Sequence, residues 1–175
     1  MKYLFLSFIL LLSSELHGQS ILLNLKSPIL FKGDSVTAYR NPAVLYFDNR
    51  FYLFFSLVNV DSEGKVFRQT AWSVSKDLSA WSKPVKITPR DQKLNYCAPG
   101  NIIRLKNEWI LTLQKYPRPG LLIHQPDRYG DSTSRVFIMR SNDLINWRSP
   151  ELLRVKGSNV PEARMGRMID PYIFE

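Results

Sequence analysis

Cysteine is nearly absent. Cys97 is the only one in 175 residues, so an intramolecular disulfide is excluded and stability must come from packing. A single thiol of this kind reads as a small buried filler rather than a reactive group. Histidine is almost as scarce, and His124 has no partner cluster of ligating residues. A histidine-based metal site is therefore not expected, and neither a cofactor nor a structural Ca2+ is indicated. The chain has no Lys-rich run and no recognisable nucleic-acid module, which argues against nucleic acid despite a net charge of +9. After Leu12 no segment is apolar for long enough to span a bilayer. Helical periodicity is scarce as well.

The one long apolar run lies at the start. Lys2 provides a positive beginning, and Tyr3 to Leu12 give about ten apolar residues, the length of a signal-peptide core. Small or polar residues follow at Ser13, Ser14, Gly18 and Ser20. Residues 1–20 are read as a signal peptide in preference to a buried N-terminal strand, so the protein is expected to be secreted or periplasmic and membrane-free once processed. No cysteine closely follows the run, which argues against a lipoprotein anchor.

Hydrophobic residues make up 45% and charged residues 22%, which excludes a disordered chain. Aromatics reach 13%, which suits half-buried strands and also sugar-stacking surfaces. Losing residues 1–18 removes Lys2 and Glu15, so the charge stays at +9. Such a surface favours anionic partners. For an exported protein, an acidic polysaccharide is the expected one.

Short β-branched and aromatic runs recur between turn residues: Ala43–Phe47, Phe51–Val58, Val66–Ser75, Asn101–Leu105, Trp109–Lys115 and Arg135–Arg140. Asp48-Asn49 and Lys106-Asn107 sit where tight hairpins would turn. The pattern is all-β, and it repeats. Ser75-Lys76-Asp77-Leu78-Ser79-Ala80-Trp81 returns 66 residues later as Ser141-Asn142-Asp143-Leu144-Ile145-Asn146-Trp147. Phe51–Phe55 is echoed by Trp109–Leu113. Asn41-Pro42, Ala98-Pro99 and Asp170-Pro171 each precede or begin such a unit, with the proline expected to open an inner strand. Fourth strands are expected near Pro84–Thr88 and Glu151–Val155. Four-stranded units of about 60–70 residues are propeller blades rather than an accidental likeness within a β-sandwich. Blade one spans about 40–88, blade two about 98–155, and a third starts near 169. The Asp of each S-x-D-L is expected to bond its own turn. Trp81 and Trp147 are expected to cover the blades rather than to touch sugar.

These residues resemble the five-bladed propeller glycoside hydrolases of family 43 and their relatives in families 32 and 68. Arg40-Asn41-Pro42-Ala43-Val44 with Arg50–Ser56 looks like that family's first blade. Ala98-Pro99 resembles the opening of its second, and Ile169-Asp170-Pro171-Tyr172-Ile173-Phe174 the opening of its third. A family 32-like fructan hydrolase fits less well, since W-M-N-D-P-N-G has no match. The resemblance implies an inverting glycosidase with three carboxylates. Asp170 falls on the aspartate that tunes and orients the general acid. The general-base position falls on Asn41, which cannot accept a proton, and the acid would lie beyond Glu175. The sequence is therefore expected to be a fragment of a longer protein, inactive by itself, since a closed ring needs about 300 residues. Either Asn41 is a real departure, leaving a non-catalytic glycan-binding propeller as the alternative, or another carboxylate such as Asp34 serves. Asp34 reads better as a turn residue in Gly33-Asp34-Ser35.

Blade geometry places the segments before inner strands and the loops between second and third strands on one face. That face should carry Asn41, Asp170 and the loops 59–65, 89–96, 116–134 and 156–168. The loop 116–134 is long enough to suggest function. Arginines gather in these segments: Arg40, Arg90, Arg118, Arg128, Arg164 and Arg167. Their planar forks suit carboxylate or sulfate groups. Arg40, Tyr96, Arg118, His124, Arg128 and Arg167 are the candidate substrate contacts, with Asn41 and Asp170 at the reacting centre.

Overall fold

Nine strands and a single 3₁₀ turn account for the regular structure in a computed structural model that describes residues 30–126 and 133–174. The signal-peptide reading falls outside those residues. All the strands belong to the second of two chain segments, 1–30 and 31–175. Among the described residues there is no α-helix.

The first sheet is an antiparallel meander of β1 (Thr37–Phe47), β2 (Arg50–Val60), β3 (Val66–Ser75) and β4 (Val85–Lys86), in that order. The second contains β5 (Tyr96–Cys97), β6 (Ile102–Leu105), β7 (Glu108–Lys115), β8 (Arg135–Ser141) and β9 (Glu151–Leu152). Both β5 and β6 pair with β7, so together they form one interrupted inner strand. Each sheet therefore has the four-tier meander of a propeller blade, and the described residues are all-β. The β1–β2 connection turns on Asp48 and Asn49, at φ 50° and 55°, the left-handed pair that a two-residue hairpin requires.

The prolines sit differently from expectation. Neither Pro42 nor Pro99 opens its strand. Pro42 lies inside β1, where the register shifts between Arg40 and Ala43. Pro99 lies in the gap between β5 and β6. A residue lacking an N–H is tolerated where the ladder is already broken. The strand can then run through the break on both sides, so blade one begins at Thr37 and not at the proline.

The sequence repeat is reproduced in hydrogen bonds. Ser75 Oγ and Ser141 Oγ each accept from the backbone N–H groups two and three residues on. Asp77 Oδ1 accepts from Ser79 N and Ala80 N, and Asp143 Oδ1 from Ile145 N and Asn146 N. Leu78 and Leu144 both take positive φ, and their carbonyls accept the indole N–H of Trp81 and Trp147 at 3.1 and 3.0 Å. Both tryptophans thus close their own turns. The hydrogen bonds from Asn146 and Ile145 hold the Asp143 carboxyl well below the usual carboxylate range. A depressed folded value means that the stabilisation is present above the ordinary 3.8 and is lost as pH falls below it. Asp143→Ala is therefore expected to lower Tm at pH 7 by a few degrees and to flatten its fall between about pH 4 and pH 2. A thermal melt series across pH, against wild type, checks both parts.

Alternation decides the packing. On β2, Tyr52 and Phe54 point into a cluster shared with the second sheet, containing Trp72, Tyr96, Trp109, Leu111, Leu113, Phe137 and Met139. Leu53, Phe55 and Leu57 point the other way, against Ala71 with Phe31, Tyr39 and Trp81. β2 is therefore buried on both faces, and the sheets pack face to face.

The third proline segment docks without forming a strand. Asn101 Nδ2 donates to Ile173 O at 2.6 Å, and Asn101 Oδ1 accepts from Ile173 N at 2.9 Å. A side-chain amide here takes the place of a neighbouring strand. Thr112 Oγ1 donates to Pro171 O at 3.2 Å. Pro171 O passes so close to Gly100 that a Cβ there would lie 1.6 Å from it, so this approach admits only glycine.

Candidate functional site

Asn41, Ala98 and Asp170 share an unusual backbone. Each precedes a proline, and each has positive φ: 52°, 46° and 51°. For residues with a Cβ this conformation is strained, by roughly 1–3 kcal/mol each, and such strain gathers at functional sites. All three line one cleft of about 190 Å³, together with Arg40, Ser56, Val58, Arg68, Cys97, Gln114, Tyr116, Arg167 and Ile169.

A hydrogen-bond relay holds these three residues in place. Ser56, opposite Arg40 on β2, donates its hydroxyl to Asn41 Oδ1 at 3.2 Å and accepts from Ala98 N at 2.7 Å. Gln114, in the matching place opposite Cys97 on β7, accepts with Oε1 from Asp170 N at 3.4 Å. In both sheets, then, a side chain from the second tier fixes the pre-proline N–H of the next unit.

The electrostatics of the cleft are lopsided. Arg40, Arg68 and Arg167 line it, and Asp170 is the only carboxylate among the lining residues. Burial pushes the Cys97 thiol up to about 11, although Arg68, Arg40 and Arg118 oppose the shift and Gln114 is hydrogen-bonded to it. The thiol is buried and protonated at neutral pH, so it serves as filler.

The loops above the cleft are tied together through Gln92. Its Nε2 donates to Val66 O and Leu121 O, and its Oε1 accepts from Gly120 N. Arg118 N donates to Gln92 O, and Val66 N to Leu121 O. Lys115 pairs with Glu162 at 3.2 Å, and Met168 N donates to Ser134 O. Segments from 61–66, 89–95, 116–126 and 153–168 therefore lie together.

Of the eight residues singled out in the sequence, Arg40, Asn41, Arg167 and Asp170 meet in the cleft. Tyr96 does not. Its ring is buried edge-on against Phe137 at 5.1 Å, and burial, then the charge of Glu162, raises its hydroxyl pKa. An aromatic beginning an inner strand goes to the core here. Arg118 is buried and stacks on Tyr116 at 3.4 Å, lining a neighbouring cavity with Pro117, Pro119 and Leu121. His124 is exposed in a loop turn and does not line the cleft. Arg128 lies outside the described residues. Asp34 accepts from Val36 N at 2.8 Å, as a turn residue does, and is absent from the cleft. Arg68, Ser56, Gln114 and Tyr116 are additions that local pattern does not reveal. The one sequence signal was a charge inside the otherwise half-apolar strand β3. Among the described residues no three His, Cys, Asp or Glu side chains converge as a metal site would require.

No family model matches the chain, and no curated protein matches it in sequence. Solved structures do resemble it, glycoside hydrolases among them. A family 43 endo-arabinanase of Bacillus licheniformis is 19% identical over 67% of this chain and 37% of its own, with a TM-score of 0.43. A family 93 α-L-arabinofuranosidase of Fusarium graminearum, solved with arabinobiose, is 21% identical over 61% of this chain and 28% of its own, with a TM-score of 0.46. A candidate glycoside hydrolase of Parabacteroides distasonis is 13% identical over 70% of this chain and 39% of its own, with a TM-score of 0.49. The chain spans well under half the length of these structures. Likeness of this extent assigns neither activity nor substrate.

Proposed function

We propose that this chain contributes the Asn41–Asp170 rim of an exported glycoside hydrolase of the family 43 type, acting on acid-bearing glycans outside the cytoplasm. The observation that carries the reading is the convergence of three strained pre-proline residues on one arginine-lined cleft. Asp170 would orient the general acid and favour its protonated form through like charge. Arg40 and Arg167 would hold an anionic substituent through forked hydrogen bonds. Hydrolysis with inversion needs an acid and a base flanking the bond. The cleft holds one carboxylate among the described residues, so this reading requires further carboxylates from outside the described residues.

In the full-length protein, Asp170→Asn should lower kcat/KM on uronic or sulfated oligosaccharides at least a hundredfold while leaving the fold intact by circular dichroism. Unchanged turnover would remove the assignment.

Asn41 favours a second reading. An amide at this position cannot take a proton from water, and it is held as a neutral acceptor of the Ser56 hydroxyl. A glycan-binding propeller without turnover would show oligosaccharide binding that Arg40→Ala weakens, with no reducing ends released by any variant, Asn41→Asp included. Hydrolysis by the wild-type protein would exclude it.

A further inference from the structure

Resting on the glycan reading above, we propose that the Asn41–Asp170 cleft continues between the two blades into a second cavity, and that Arg68, standing at the junction, recognises an oxyanion on a sugar unit of an extended chain. The second cavity, of about 270 Å³, is lined by Val36, Ala38, Val60, Val66, Leu121 and Ile123 among others, and it shares Val58 and Arg68 with the first. Strand register explains the continuity. Ala38 pairs with Val58, Val58 with Arg68, and Arg40 with Ser56. Alternation therefore puts Ala38, Arg40, Ser56, Val58, Val60, Val66 and Arg68 on one face of the first sheet. That face bears Asn41's neighbours at one end and the second cavity at the other. At about 190 and 270 Å³, each cavity alone falls short of the roughly 300 Å³ at which ligand sites begin, and together they reach it.

Arg68 is a built feature of the junction. It is buried. Its backbone N–H is fixed by the fully buried Asn95 Oδ1 at 3.0 Å. Its guanidinium stands 5.1 Å from the centre of the Tyr116 ring, which Arg118 also covers. A guanidinium with a fixed backbone and an aromatic ring beside it is restrained before a ligand arrives, so less freedom is lost on binding. Beyond it the groove is lined mainly by aliphatic side chains, which suit the C–H face of a sugar ring, together with Asp34, Thr37 and Gln125, and its outer edge is marked by the exposed Leu122 and Ile123. The chemistry recognised is a compact oxyanion on a sugar, either a uronate carboxylate or a sulfate ester.

The test is calorimetric binding by the full-length protein of four probes: galacturonate monomer, its tetramer, a sulfated galactan tetramer and neutral xylotetraose. Two variants are compared with wild type. Arg68→Met removes the fork but keeps the bulk. Ile123→Trp fills the outer groove from a position that is 43% exposed. The expectation is that at least one acidic tetramer binds tenfold or more tightly than the monomer and than xylotetraose. The acidic tetramer that shows this identifies carboxylate or sulfate as the group. Arg68→Met should reduce the preference over xylotetraose, the remainder belonging to Arg40 and Arg167, and Ile123→Trp should abolish the gain with length. Equal binding of acidic and neutral tetramers overturns this inference together with the acid-bearing part of the reading above, whereas a preference unchanged in Arg68→Met, or a length gain that survives Ile123→Trp, overturns this inference alone. Failure of all four probes to bind overturns both.

Discussion

Phe54→Ala is expected to cost about 3–5 kcal/mol of stability, a large part of the roughly 5–15 kcal/mol that holds a domain folded. Phe54 is fully buried on β2. Its ring stands 6.4 Å from Trp72 in its own sheet and 5.4 Å, edge-on, from Trp147 of the next unit. Truncation opens a cavity between two blades, and the flanking rings cannot both relax into it. Val44→Ala is the control. Val44 is 61% exposed on β1, and its loss should change stability by less than about 0.5 kcal/mol. Denaturant midpoints for the two variants check the difference. A cost for Phe54→Ala near that of Val44→Ala would mean that the blades do not share a core.

Gly100→Ala should have the other large effect, and it should appear at Asp170. The new Cβ would lie 1.6 Å from Pro171 O and 2.5 Å from Thr112 Oγ1. The threonine can turn away, but a carbonyl of the neighbouring segment cannot. The 170–174 segment must lift, which breaks the Asn101–Ile173 amide pair and the bond from Asp170 N to Gln114. Overpacking of this kind costs about 1–3 kcal/mol or more, so the sheets should survive while the rim comes apart. Hydrogen exchange should show lost protection at the Ile173 amide with β2 and β7 unchanged. Turnover should fall as far as in Asp170→Asn. Retained protection at Ile173 would show that the contact is less tight than the geometry states.

What the sequence made legible follows from range. The hairpin at Asp48-Asn49 and the two S-x-D-L-x-x-W turns are closed by bonds within a few residues, so their signatures lie in consecutive letters. The strands β2, β3, β7 and β8 were readable because apolar and aromatic runs between turn residues have few other uses. The co-location of Asn41 and Asp170 was readable through the repeat. The rest was hidden because it is long-range. Ser56 serves Ala98 from 42 residues away, and Gln114 serves Asp170 from 56. Neither polar residue stands out within its strand. Arg68 is not legible in its own strand because only pairing with Val58 turns it toward the cleft. Tyr96 adjoins a loop in the sequence, where exposure is expected, but a ring entering an inner strand finds Phe137.

The serine and glutamine bonds described above have a directional consequence. Ala98 and Asp170 are each set by an acceptor belonging to the unit before them, so geometry is handed forward from Ser56 to Ala98 and from Gln114 to Asp170. An error introduced at Ser56 is inherited downstream, whereas one at Asp170 stays where it arises. Substitutions in the first unit should therefore perturb more of the reacting centre than their distance from it suggests.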